Sequence, residues 1–334
     1  MSGRSSELGR AGRCGGWRAL GWFWCGIAGA SVLGAGLLQW MGPPPVSLPA
    51  VAPEAPALRR TAAIAPPDPA LLEPDPAEPG RMLPRIADDG RAPRAVYAAH
   101  GPPAAPGIAR IGLIVAGIGL NAAESQAAVR DLPDGATLAL SPYGALSPAL
   151  LEAIRRSGHE FLVSLPMEPD GGGLDDAGDH ALLISLPTEE NLSRLNWVLS
   201  RAEGYVGLTD LLAGDLRGRR FTSDPEAVTP ILDVLARRGL AYAGAQPETP
   251  GHGGLWARKI DLLIYADDGP AAVDAALDQL LALARRQGTA LGAVGVIRST
   301  TLAQIMAWAK TLSARQAALT PVSALVAAPD AAPR

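Results

Sequence analysis

Few side chains in this sequence combine the type and the setting that catalysis or metal binding requires. Glu168 stands between Pro166-Met167 and Pro169. A carboxylate held in so rigid a turn suits a general base or a ligand acceptor, although a Pro-Met-Glu-Pro turn can also serve shape alone. Asp210, Asp267 and Asp268 could form a carboxylate cluster for a hard cation if their strands are neighbours; such acids equally cap helices or stay solvated. Of the four histidines, His180 follows the glycine-rich stretch 171–173, and His252 sits between Gly251 and Gly253 as a loop residue. His159 precedes an apolar strand and reads as structural. Cys14 and Cys25 both lie near the N-terminus, so the rest of the chain has neither a disulfide nor a thiolate metal site. Gly117-Ile118-Gly119-Leu120-Asn121-Ala122 fits the dinucleotide pattern G-x-G-x-x-A. The next strand, however, ends in LALSPY with no acid to hold a ribose, so no nucleotide cofactor is expected.

The elements that must position these residues begin after Gly107, where short apolar runs alternate with longer helical stretches. Strands are expected at Ile111–Val115, Thr137–Leu140, Phe161–Leu165, Tyr205–Leu208, Ala241–Ala243, Leu262–Tyr265, Leu291–Ile297 and Leu319–Val322. Helices are expected near 121–131, 147–157, 188–202, 225–238, 270–287 and 301–316. Ser223-Asp224-Pro225 reads as a cap followed by proline at the first helical position. Continuous apolar strands, each followed by a helix, imply a parallel sheet covered on both faces. Seven or eight such units imply a closed or nearly closed barrel. Working residues in such barrels come from the C-terminal ends of strands. Those ends are Ala116-Gly117, Ser141-Pro142-Tyr143, Pro166–Pro169, Thr209-Asp210, Gly244-Ala245, Ala266–Asp268 and Arg298-Ser299, which offer few polar groups.

The N-terminal third reads differently. Ala19–Leu38 is uncharged and apolar, with Trp17, Trp22, Trp24 and Trp40 crowding its ends, as a membrane-crossing helix requires. Arg4, Arg10, Arg13 and Arg18 precede it against the single acid Glu7, which places the N-terminus in the cytoplasm and the rest outside. A cleaved signal peptide is the competing reading. Residues 43–107 hold more than half of the chain's 31 prolines, a composition expected to stay extended as a tether. With 29 basic and 33 acidic residues, the net charge of −4 offers no nucleic-acid surface.

Over 108–326 the chain resembles the divergent polysaccharide deacetylase family of Gram-negative envelopes, which is similar in fold to metal-dependent carbohydrate esterases. The resemblance rests on LALSPYG at 138–144, the Gly158-His159-Glu160 turn, LPMEP at 165–169 and His180-Ala181-Leu182-Leu183. It extends through Thr188 and Asn191 to NWVLSR at 196–201, GYVGL at 204–208, RFTSDP at 220–225, ARRGL at 236–240, AWAK at 307–310 and PVSALV at 321–326. It implies a distorted seven- to eight-stranded (β/α) barrel, a carbohydrate substrate and hydrolysis of an amide C–N bond.

Departures from the family pattern bear on the chemistry. The resemblance implies an Asp-Asp pair after the first strand, where this chain has Ala116 and Gly117. It implies Asn-His-Met-Gly-Ser after the fourth, where the chain runs Thr209-Asp210-Leu211-Leu212-Ala213-Gly214, and a further Asp where Ala243-Gly244 stand. A catalytic divalent metal needs about three protein donors, so neither a metal nor any other cofactor is expected. The expectation is therefore a catalytically degenerate envelope protein, a pseudoenzyme that binds cell-wall glycan or protein. The alternative is an active esterase with a rearranged site on Glu168, His180, Asp210 and Asp267. In that alternative Glu168 acts as base or binds sugar hydroxyls, and His180, which matches a family position, binds the ligand. The expected organisation is a cytoplasmic N-terminus at 1–18, a transmembrane anchor at 19–41, a disordered linker at 42–107, the deacetylase-like domain at 108–327 and a disordered tail at 328–334. The domain is expected to face the periplasm from the inner membrane.

Overall fold

A computed structural model describes residues 63–101, 105–170, 177–213, 216–217, 219–244 and 254–328. Residues 1–18, expected to be cytoplasmic, the membrane segment expected at 19–41, His252, residues 42–62 of the expected linker and residues 329–334 of the expected tail lie outside the described residues. Among the described residues no helix is long and apolar enough to cross a membrane.

In chain order the elements are β1 (Leu72–Pro74), β2 (Met82–Pro84), α1 (Pro93–Val96), β3 (Ala109–Ile118), α2 (Ala122–Asp131), β4 (Ala136–Leu140), α3 (Pro148–Ser157) and β5 (Phe161–Ser164). They continue with α4 (Thr188–Leu199), β6 (Gly207–Thr209), β7 (Leu211–Ala213), β8 (Leu216–Arg217), α5 (Arg219–Thr222), α6 (Pro225–Arg237) and β9 (Ala241–Gly244). The last are β10 (Trp256–Lys259), β11 (Leu262–Ile264), α7 (Pro270–Gln287), β12 (Thr289–Val294), α8 (Ser299–Thr311) and β13 (Ala317–Leu319). The expected α/β alternation is present. The expected strand at 319–322 instead lies two residues earlier, and Val322–Ala324 is a 3-10 turn.

The central sheet runs β10-β9-β6-β5-β4-β3-β12-β11, with β13 also pairing β3. Every pairing within it is parallel. It curls into a half-barrel of eight strands. Its two edge strands are consecutive in the chain, joined by Ile260 and Asp261 alone. Ile260 N–H donates to Gly244 O on the β9 side, and Asp261 N–H donates to Leu291 O on the β12 side. One segment thus draws both edges together. The Asp261 carboxylate fixes it, accepting from Leu291 N at 2.8 Å and pairing with Arg258 at 2.6 Å.

Strand parity divides the core in two. Leu113, Val115, Leu138, Leu140, Phe161, Val163 and Leu208 face outward onto the helices, while Ile114, Ala116, Ala139, Leu162, Ala243, Leu291 and Ala293 face the interior. Because both faces are covered, the strands carry continuous apolar runs.

The expected disordered linker requires correction: residues 63–101 are part of the fold. β1 and β2 form an antiparallel hairpin, and Ile64, Leu71, Ala87 and Tyr97 are buried in the interior cluster with Ala139, Leu162 and Val206. Backbone bonds tie this arm down: Ile64 N to Arg155 O at 2.9 Å and Arg94 N to Gly239 O at 3.2 Å. Arg238 donates to Glu73 at 2.7 Å and to Pro84 O at 2.6 Å. Arg155 lies in the last turn of α3, and Arg238 and Gly239 follow α6, so the arm closes the end of the barrel where strands begin. Its prolines cannot nucleate a core, but its scattered apolar residues need none of their own. Each fully buried one contributes about 2 kcal/mol.

Candidate functional site

At the opposite end, where strands finish, the inner positions of neighbouring strands carry Ala116 (β3), Ser141 (just past β4), Ser164 (β5), Thr209 (β6) and Ala243 (β9). Register supports this alignment, since Ser164 pairs with Thr209 and Thr209 with Ala243. All five are buried. Directly after β6 the chain turns through Asp210, also buried, into β7, which packs against β3. Strands β4 and β5 lie between β6 and β3 in the sheet, so this contact crosses the barrel mouth. Leu211 is fully buried in the same cluster as Ala116, Ala139 and Ala243.

Glu168 sits on the rim beyond β5 and is engaged at every polar atom. Its N–H donates to Leu182 O, and its carbonyl accepts from Phe221 N. One carboxylate oxygen accepts from Ile184 N at 2.8 Å, and the other pairs with Arg220 Nε at 2.9 Å. The residue therefore staples the loop at 182–184 and helix α5 to the end of β5. Next to it Arg219 pairs with Asp170 at 3.2 Å.

His180 lies in the same loop, its ring stacked on Trp197 of α4 with centroids 3.7 Å apart and 9° between planes. Tyr143, after β4, approaches Trp197 at 5.6 Å, donates to Ala177 O at 3.0 Å and accepts from His180 N at 3.2 Å. The Arg201 guanidinium lies 5.0 Å from the Trp197 ring and donates to Pro142 O at 2.9 Å. Desolvation, helped by Arg194, lowers the His180 pKa from its ordinary value, which favours a neutral imidazole. The ring cluster was not legible in the sequence as a unit, although each member lies in a segment that carries the family resemblance.

Asp267 stands on an exposed turn after β11 and pairs with Arg298 at 2.5 Å, and Asp268 is exposed beside it. The sheet order separates β11 from β6 by four strands, so Asp267 and Asp210 are not neighbours across adjacent strands. Glu168 and His180 share a loop region, each with partners of its own. His159, as expected, is structural: its Nδ1 is bonded to Ala136 O at 3.0 Å, and burial lowers its pKa.

A family model for divergent polysaccharide deacetylases matches residues 113–326. The chain belongs to the divergent polysaccharide deacetylase family. An uncharacterized protein of Haemophilus influenzae is 22% identical over 211 residues, covering 61% of this chain and 72% of its own length. The crystal structure of an uncharacterized protein from Agrobacterium tumefaciens C58 superposes with a TM-score of 0.66 at 29% identity, covering 74% of this chain and all of that one. A family 4 carbohydrate esterase from Streptomyces lividans, solved with acetate, aligns at a TM-score of 0.38 and 14% identity over 68% of this chain and 100% of its own.

Among the described residues, the inner strand-end positions Ala116, Ser141, Ser164, Thr209 and Ala243 present no carboxylate, imidazole or thiolate. Ala116 and Ala243 have no side-chain donor atom, and Leu211 packs with them in one apolar cluster. Among the described residues no three His, Cys, Asp or Glu side chains come together as a metal-binding group.

Proposed function

We propose that this divergent polysaccharide deacetylase acts without the metal-dependent reaction, as a glycan-binding member of the cell envelope. The observation that carries the reading is the barrel mouth, where inner positions on three strands hold Ala116, Thr209 and Ala243 beside the apolar Leu211. A water polarised for attack on an acetyl carbonyl needs an open coordination position and about three donors around it. The family's action on polysaccharides supports a glycan as partner, and the exposed Tyr143 ring, held beside Trp197 and His180 at the mouth's rim, suits stacking on a sugar face. The uncharged segment Ala19–Leu38 with its preceding arginines supports an inner-membrane anchor, with the domain facing the periplasm.

The test is elemental analysis of the purified protein together with acetate release from acetylated chitooligosaccharides and peptidoglycan. The expected result is no stoichiometric Zn²⁺ or Mn²⁺, no acetate, and retention of the protein on one of these glycans. Turnover with a bound metal would establish an active esterase instead.

A further inference from the structure

The hydroxyls of Ser141 and Ser164 are buried and have no hydrogen-bond partner in the protein. Both belong to the inner face. Ser164 lies two residues beyond Leu162, and Ser141 two beyond Ala139, each an interior residue. Leu140 is opposite Val163, so the residues that follow, Ser141 and Ser164, are neighbours across β4 and β5. Thr209 continues the row on β6, where its hydroxyl accepts from Leu211 N at 3.3 Å.

A buried hydroxyl without a partner is costly, because its bonds to solvent are lost and none replaces them. Two such groups side by side invite a single remedy. Ala116 and Ala243, at inner positions of the same end of the sheet, are small, and Leu211 packs in the cluster that contains both. An apolar niche would stay dry, whereas two neighbouring hydroxyls supply the minimum of two partners that a buried water requires. We propose that Ser141 and Ser164 hold one internal water between them. A neutral hydrogen-bonding ligand would thus complete the barrel end at which the family resemblance implies metal donors.

Two measurements on the full chain test this. A high-resolution crystal structure is expected to show one density peak within about 2.5–3.0 Å of both Oγ atoms. In urea denaturation, Ser141→Ala and Ser164→Ala should each lower the unfolding midpoint. The double variant should fall no lower than the weaker single one, because both lose the same water. A direct bond between the two hydroxyls, a gap without density, single variants with unchanged or raised midpoints, or strictly additive losses would each overturn the inference. A cation in that density, recognised by coordination distances of about 2.1 Å, would overturn it together with the proposed function. The other negative results leave the proposed function standing.

Discussion

Glu160 accepts the backbone N–H of Ala99 at 3.0 Å, which joins the N-terminal arm to the first residues of the β5 region. The same carboxylate accepts from Thr137 Oγ1 at 3.0 Å, Ser323 N at 2.9 Å and Ser323 Oγ at 2.5 Å. Four donors from three distant segments therefore converge on one fully buried side chain. The arm, β4 and the C-terminal turn at 322–324, distant in sequence, are thus joined by one polar hub beside the apolar cluster that Tyr97, Ala139 and Val322 share.

Removing that acceptor strands buried donors, and an unsatisfied buried group costs about 1–3 kcal/mol. Glu160→Ala should lower unfolding free energy by about 2–4 kcal/mol in urea, with Glu160→Gln costing less because its amide oxygen keeps part of the set. A change below about 0.5 kcal/mol for the alanine variant would show that the hub does not hold the ends.

The pH dependence of this hub has a definite sign. Burial pushes the Glu160 carboxyl above the ordinary glutamate value of 4.5, against the pull of Ser323, Ala99 and Thr137. A folded-state pKa above the unfolded one means that the native protein binds the proton more tightly. The associated stability is complete below the unfolded value and is lost as pH rises through the folded one. Comparing wild type with Glu160→Gln from pH 4 to 8 isolates this group, and the wild-type advantage should shrink as pH rises. An advantage that grows with pH would refute the assignment.

The arm should behave as part of the domain. A chain beginning at residue 105 loses Ile64, Leu71, Ala87 and Tyr97 from the interior cluster and leaves Leu162 and Val206 without their cover. It should be largely unfolded or aggregated, whereas a chain beginning at residue 61 should unfold cooperatively. Circular dichroism melts of the two decide the matter, and equal melting temperatures would return the arm to the status of a tether.

Legibility followed the density of local signal. LALAL-type runs such as Ala136–Leu140 and capped helices such as Pro225–Arg237, with Asp224 accepting from Glu226 N and Ala227 N, announce themselves within a few residues. β10 has no clear sequence signal because an edge strand of three half-buried residues and the exposed Lys259 has neither a continuous apolar run nor clean alternation. The arm was missed because its apolar residues are isolated among prolines and acquire meaning only against a core built by other segments. At the site, the Pro-Met-Glu-Pro turn was visible, but the partners that occupy Glu168 come from loops that sequence spacing does not relate to it.

Those partners separate a bracing role for Glu168 from a chemical one. Arg220 is more than half exposed, so its ion pair is screened and is worth at most about 1 kcal/mol. The bond from Ile184 N is more sheltered and holds the loop that presents His180 to Trp197. Arg220→Ala should therefore leave stability within about 0.5 kcal/mol, while Glu168→Ala should cost about 1–2 kcal/mol by freeing Ile184 N. Glu168→Gln, which keeps an acceptor oxygen for Ile184 N, should recover most of that loss. Proton spectra of His180 provide a second readout: the ring-current shift imposed by Trp197 should collapse in Glu168→Ala and persist in Arg220→Ala. Equal, negligible effects of Glu168→Ala and Arg220→Ala on both readouts would show that the carboxylate does not brace this rim.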